Sequence, residues 1–391
     1  MPALGAAAAA LAAFWTVRSE SSRRAVLLAA TVSIGVLLSL GHVEARRLSA
    51  LLFLLSIDLV WAVWRSVLGR PRARGAWTAA LVAVFVAWKA SGLQSALLRS
   101  LHLPERYLPA GAWLGGSYIL FRLIHVSIEV RKPDFPRVGF GDFLLYVLFP
   151  STLVAGPIAR LPELSADLPG RRPALTDVAE AARRIAVGIF KKFVVADFIA
   201  ILPIDFAHAG LSTARMWASL YLFGLQLFFD FAGYSDIAIG AAALMGLRVP
   251  ENFDAPYLKA NIARFWQAWH ATLSAWMRDY VFFPLGRMLR RRAPGVPGPL
   301  AVLGCQVATM VLIGVWHGFF ASYAIWGAWH GVGLFLHREW ARRRPAPAAP
   351  VPLRRLGATF VTFQFVMVGW VFFYATSVRE SLLVLGKLLG R

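Results

Sequence analysis

Apolar runs separated by charged or Pro/Gly breaks recur along the whole chain, near 1–16, 25–41, 48–64, 76–98, 112–130, 140–160, 184–204, 214–246, 300–317, 320–337 and 356–375. Each is close to the length of helix that crosses about 30 Å of hydrocarbon. The pattern predicts an all-α, polytopic membrane protein of about eleven helices. The segment 248–299 breaks it, mixing Trp, Phe and Tyr with Asn, Asp, Arg, Lys and His at no transmembrane period. Amphipathic or re-entrant helices are expected there, because irregular backbone at membrane depth survives only where protein buries it or a watery cavity wets it. The chain is read as N-terminal membrane helices over 1–110, then a core over 111–391 that contains 248–299 and a Pro/Ala-rich cytoplasmic linker at 342–355.

Charge sets the orientation. Basic loops at 18–24, 65–74 and 131–137 alternate with poorer loops at 42–47 and 99–111, which places the first set inside and the N-terminus outside. A net charge of +21 would suggest a nucleic-acid partner in a soluble protein. Here the cations cluster between apolar segments, as in "RMLRRR" at 287–292 and "REWARRR" at 338–344, and serve topology and anionic lipid headgroups instead; no nucleic acid is expected. The start, "MPALGAAAAALAAFW", lacks the basic region of a cleaved signal and is read as a short first span.

Composition agrees, at 58% hydrophobic with 15 Trp and 28 Phe. The single cysteine, Cys305, excludes an intrachain disulfide and any cysteine-based metal site. No phosphate-cradling GxxxxGK loop is present, and "AGYSD" at 232–236 lacks the GxSxG elbow of serine hydrolases.

Candidate chemistry rests on histidines. His317 and His330 each sit in "WHG" inside apolar sequence. On one continuous helix their spacing means roughly 20 Å of rise, so a shared metal site is not expected. A histidine with no nearby nucleophile suits general-base catalysis on a substrate hydroxyl, since neutral imidazole accepts a proton near its pKa of about 6.5. From the residues alone His317 is either that base or a packed ring bonded to a carbonyl. Asp230 and Asp236 lie among apolar residues in "LQLFFDFAGYSDIAIG", with Tyr234 one helical turn from Asp230. An acid at bilayer depth costs about 2.5–3.5 kcal/mol, so each is expected to meet a basic partner, a cavity or the interface. The small-xxx-small pairs in "GAWLGG" (111–116) and "GAWHG" (327–331) predict close helix packing.

"FFDFAGYSDIAIGAAALMGLRVPENFDAPY", then "RFWQAWHATLSAWMRDYVFFPLG", then "GVWHG", with "LFPSTLVAGPIAR" upstream, resembles the membrane-bound O-acyltransferase family, in its bacterial alginate-acetylating and teichoic-acid-alanylating branch. The resemblance runs from about 120 to the C-terminus. It implies tilted helices around a central funnel or tunnel, with His317 as the principal catalytic residue and His270 as the second. Trp316, Trp269, Asn261 and Asp279 are wall or support candidates, with Asp230, Tyr234 and Asp236 as further tunnel residues. It implies no bound cofactor or metal. The cosubstrate is a thioester donor, on coenzyme A or an acyl-carrier protein, and the acceptor is a cell-envelope glycan or a periplasmic relay partner. Acetyl is the expected acyl group with D-alanyl the alternative, and the bacterial cytoplasmic membrane is the expected location. A transporter, channel or export-complex scaffold is the competing reading.

Two departures stand out. Relatives read "FWRRWH", whereas Gln267 and Ala268 stand here in place of the arginines. The chain also ends soon after "GWVFFYATSVRESLLVLGKLLGR", nearer in length to the alanylating relatives.

Overall fold

The computed structural model describes residues 13, 20–41, 46–69, 74–89, 113–167, 174–202, 212–344, 352–375 and 377–390. Among these, regular structure is helical and no strand occurs. The chain forms two compact units, one of Met1–Ile189 with Tyr234–Pro250, the other of Phe190–Gly233 with Glu251–Arg391.

The first unit holds α1 (Glu20–Gly41), α2 (Arg46–Val63, extended by a wide turn Trp64–Leu68), α3 (Arg74–Lys89), α4 (Gly116–Glu129), α5 (Phe140–Val147), α6 (Leu161–Ser165) and α7 (Leu175–Ile189). The span expected over 140–160 is not one helix. α5 stops at Val147, and Pro150, Gly156 with φ 101° and Pro157 prevent its continuation. The freed carbonyls are taken up by Arg122 of α4, only 1% exposed, whose guanidinium donates to Val147 O at 2.7 Å and Thr152 O at 2.9 Å. A buried cation is tolerable here because oxygen acceptors, the Thr152 hydroxyl among them, take both of its Nη groups.

After a wide turn, Phe190–Ala196, comes α8 (Asp197–Ala200), and then α9 (Thr213–Leu244), which contributes residues to both units. In the second unit, residues 251–299 of the segment expected to hold amphipathic or re-entrant helices form short helices: α10 (Ile262–Ala268), α11 (Ala271–Met277), a wide turn Arg278–Phe282, and α12 (Phe283–Arg292). Two long helices follow, α13 (Gly298–His317) and α14 (Ala321–Arg343), then α15 (Pro352–Tyr374) and α16 (Val378–Leu388). Of the predicted 342–355 linker, helix reaches Arg343 on one side and begins at Pro352 on the other, and 345–351 lie outside the described residues.

Four helical segments among the described residues are long and apolar enough to cross a membrane: Ser49–Leu68, Thr213–Leu244, Gly298–His317 and Pro352–Tyr374. The first predicted span, 1–16, lies outside the described residues apart from Ala13, as does 90–98.

The α13–α14 hairpin positions the site. "GFF" breaks the helix at Gly318–Phe320, and the two arms then pack through glycines. A Cβ on Gly327 would collide with the backbone of Met310 and Val311, and one on Gly314 with the backbone of Tyr323. Backbone cannot rotate away as a side chain can, so both contacts require glycine.

Candidate active site

His270 stands between α10 and α11, in the left-handed region at φ 41° and ψ 52°. Non-glycine residues enter that region only when the surroundings hold them there. The restraint is visible in the segment carrying Asn252, which is fully buried. Asn252 O accepts from Ala271 N at 2.9 Å, and Asp254 N donates to Ala268 O at 3.0 Å, so strand-like contacts clamp both sides of the histidine. Asn252 Oδ1 accepts from Thr272 Oγ1 at 2.8 Å and from Thr272 N at 3.4 Å, and lies 3.0 Å from His270 Nδ1. The ring, 2% exposed, meets Phe231 edge-on at 4.7 Å. Its Nε2 is buried without a hydrogen-bond partner among the described residues.

His317 is the last residue of α13, immediately before the break at Gly318–Phe320. It lies 4.9 Å from Phe373 and 5.8 Å from Trp326, centroid to centroid, both edge-on. His330 lies further along α14 and packs against the same Trp326 at 5.1 Å. The hairpin thus brings both "WHG" motifs to one indole, which a continuous helix would not do. No group of three His, Cys, Asp or Glu able to hold a metal occurs among the described residues.

His270 and His317 line one cavity of about 40 Å³, walled by Phe231, Trp266, Trp269, Trp326, Trp370 and Phe373 with three aliphatic side chains. The indole N–H groups of Trp266 and Trp326 are buried without an acceptor among the described residues. Trp266 and Ile313 also wall a second, mostly apolar cavity of about 500 Å³, which includes Gln267, Ser274, Arg278 and Gln306. The Gln306 Oε1 is buried without a partner among the described residues. Phe282 also lines a third cavity of about 530 Å³ that carries Arg290, Arg338 and Arg342.

The remaining sequence candidates divide. Trp269 lines the histidine cavity, and Trp316 lies 6.2 Å from His270 and 4.5 Å from His317. Asn261 caps α10, accepting from Arg264 N at 2.8 Å, and Asp279 pairs with its neighbour Arg278 at 2.9 Å. Asp230 pairs with Lys192 in the second unit, and Asp236 pairs with Arg184 at 3.1 Å in the first. Tyr234 packs its ring over Gly156, in the first unit. None of these five is part of the histidine cavity's lining. Of the two replaced arginines, Gln267 is exposed and faces the 500 Å³ cavity, while Ala268 is buried. Sequence reasoning passed over Asn252, Trp266 and Trp326. The "PEN" triplet stood inside the quoted resemblance, but a lone asparagine carries no spacing signal.

The family model described as MBOAT, membrane-bound O-acyltransferase family, matches residues 26–378. The chain belongs to the membrane-bound O-acyltransferase family. It is accordingly a multi-pass membrane protein. Curated relatives in the family include the probable alginate O-acetylase AlgI of Pseudomonas fluorescens, 34% identical over 307 residues that cover 78% of this chain and 57% of the relative. The teichoic acid D-alanyltransferase of Streptococcus thermophilus is 33% identical over 282 residues, covering 67% of this chain and 68% of the relative. The peptidoglycan O-acetyltransferase of Helicobacter pylori is 32% identical over 257 residues, covering 64% and 47%. The chain thus spans little more than half the length of the alginate acetylase it matches.

Proposed function

We propose that this chain transfers an acyl group, acetyl first and D-alanyl as the alternative, from a thioester donor to a hydroxyl of a cell-envelope polysaccharide or related acceptor. The observation that carries this reading is the shared cavity of His270 and His317, which has a wall in common with a roomier apolar cavity.

The step assigned to the site is acyl transfer with His317 as general base. The acceptor O–H gives its proton to His317 as its oxygen bonds to the acyl carbon. The carbonyl oxygen becomes negative, and the N–H groups of Trp266 and Trp326 are the proposed donors to it. An indole nitrogen can only donate, and donors fixed in a water-poor site stabilise developing charge strongly. The C–S bond then breaks, and the leaving thiolate recovers the proton from His317. The 500 Å³ cavity suits a thioester arm, its amides able to bond Gln306 and its outer end near the arginines of the third cavity. The same arginines suit coenzyme A phosphates or an acidic carrier protein. Placement in the bacterial cytoplasmic membrane, and an envelope glycan or a periplasmic relay protein as acceptor, belong to the same proposal.

The test offers purified protein radiolabelled acetyl and D-alanyl thioesters, on coenzyme A and on a carrier protein, with envelope polysaccharide as acceptor. Ester-linked label that appears only with active protein is expected. Thioesters left intact in every combination would contradict the proposal.

A further inference from the structure

We propose that Asn252 is a positioning residue that fixes the tautomer of His270, so that Nε2 of His270 accepts the ring N–H of His317 when His317 takes the acceptor's proton. The inference rests on the acyl-transfer reading above and adds to it the device that holds the base.

The hydrogen bonds decide the tautomer. The backbone N–H of Thr272 can only donate, and it donates to the Asn252 side chain at 3.4 Å, so the amide atom placed there is the oxygen. The Thr272 hydroxyl donates to the same atom at 2.8 Å. Nδ1 of His270, 3.0 Å from that oxygen, must therefore carry a hydrogen to bond it. A neutral imidazole with its hydrogen on Nδ1 has a bare lone pair on Nε2. That nitrogen is buried and has no partner among the described residues.

The cavity shows where the lone pair is useful. Its lining side chains are leucine, isoleucine, phenylalanine, tryptophan and the two histidines. Indoles only donate and hydrocarbon does neither, so among the described side chains lining the cavity beside His317 the acceptor is His270 Nε2. An imidazole base that takes a proton on one nitrogen keeps an N–H on the other, and an acceptor for it both aims the ring and stabilises the imidazolium. Carboxylates usually fill that role. Here a neutral histidine backed by an asparagine fills it, which avoids burying an anion among six aromatic rings.

His125 is the contrast within the same chain. It is equally buried, but its Nε2 accepts from the Leu161 N–H at 3.3 Å, so its acceptor is spent on backbone. His270 keeps its acceptor free beside the second histidine, and the chain holds it there in a left-handed conformation.

Proton balance is complete. The acceptor O–H breaks and an N–H forms on His317, which shares its other N–H with His270 Nε2. The Nδ1 hydrogen of His270 stays bonded to Asn252 throughout, and His317 returns its proton to the thiolate.

The tautomer can be read without turnover. ¹⁵N-histidine spectra of the whole protein in detergent, with the His270 signals assigned by their loss in His270→Gln, should show the Nδ1–H form. In Asn252→Leu that preference should vanish. Kinetically, Asn252→Leu should lower kcat by about tenfold or more while KM for the thioester stays within about twofold, since the base loses its aim but the donor keeps its cavity. Asn252→Asp should recover most of kcat. It should also move the acid limb of the pH profile to higher pH, because a carboxylate on Nδ1–H makes Nε2 a stronger acceptor and favours the imidazolium. An Nε2–H tautomer in the wild type overturns the inference even if acyl transfer is found. So does an Asn252→Asp profile that superimposes on the wild type while the Asn252→Leu loss tracks the loss of folded protein. An Nδ1–H tautomer with no acyl transfer from any thioester would instead defeat the underlying reading, and the relay with it.

Discussion

His317 closes one arm of the α13–α14 hairpin, and Trp326 faces it from the other, with ring centroids 5.8 Å apart and planes at 89°. The same indole has a buried N–H without an acceptor among the described residues and lines the cavity of both histidines. Trp326→Phe keeps an aromatic ring but removes the donor. The expected result is a fall in kcat of about 10²-fold, the size associated with losing one oxyanion donor, with thermal stability changed little. Single-turnover rates and unfolding curves on the same preparation separate the two effects.

The two acids of the "DFAGYSD" stretch should behave differently. Asp236 and Arg184 are 15% and 25% exposed, so Asp236→Asn leaves a cation partly buried without its carboxylate. A loss of about 1–3 kcal/mol is expected. Asp230 is 49% exposed beside Lys192, and Asp230→Asn should cost about 0–1 kcal/mol. Unfolding in detergent against denaturant ranks them, and the reverse order would contradict the ranking by burial.

Much of this was legible in the chain. The long apolar runs and the glycines of "GAWHG" have spacings that helix geometry converts directly into spans and close packing. The ambiguous 248–299 segment was legible only as an exception, since no period states which short helices follow. The break at Val147 was missed. An apolar run with Pro150 and Pro157 still reads as a span, and Arg122, which satisfies the broken end, lies 25 residues from Val147. The same holds at the site. His317 and His270 carried motif signals, whereas Asn252 acts through one oxygen 18 residues from the ring it holds, a relation that exists only after folding.

Gly327 tests the hairpin itself. Gly327→Val would press a branched side chain into the Met310 and Val311 backbone, and overpacking of this kind costs about 1–3 kcal/mol. The yield of folded protein and its melting temperature should both fall. Activity per folded molecule should fall too, because the arms set the distance between His317 and Trp326.

The central claim is that the cavity of His270 and His317 performs acyl transfer with His317 as base. Its most direct test is the initial rate of acyl transfer from radiolabelled thioester by wild type and His317→Ala, each normalised to folded protein. The account predicts a loss of at least about 10²-fold with the folded yield within about twofold, as removal of a positioned base requires. An unchanged rate in His317→Ala would contradict it.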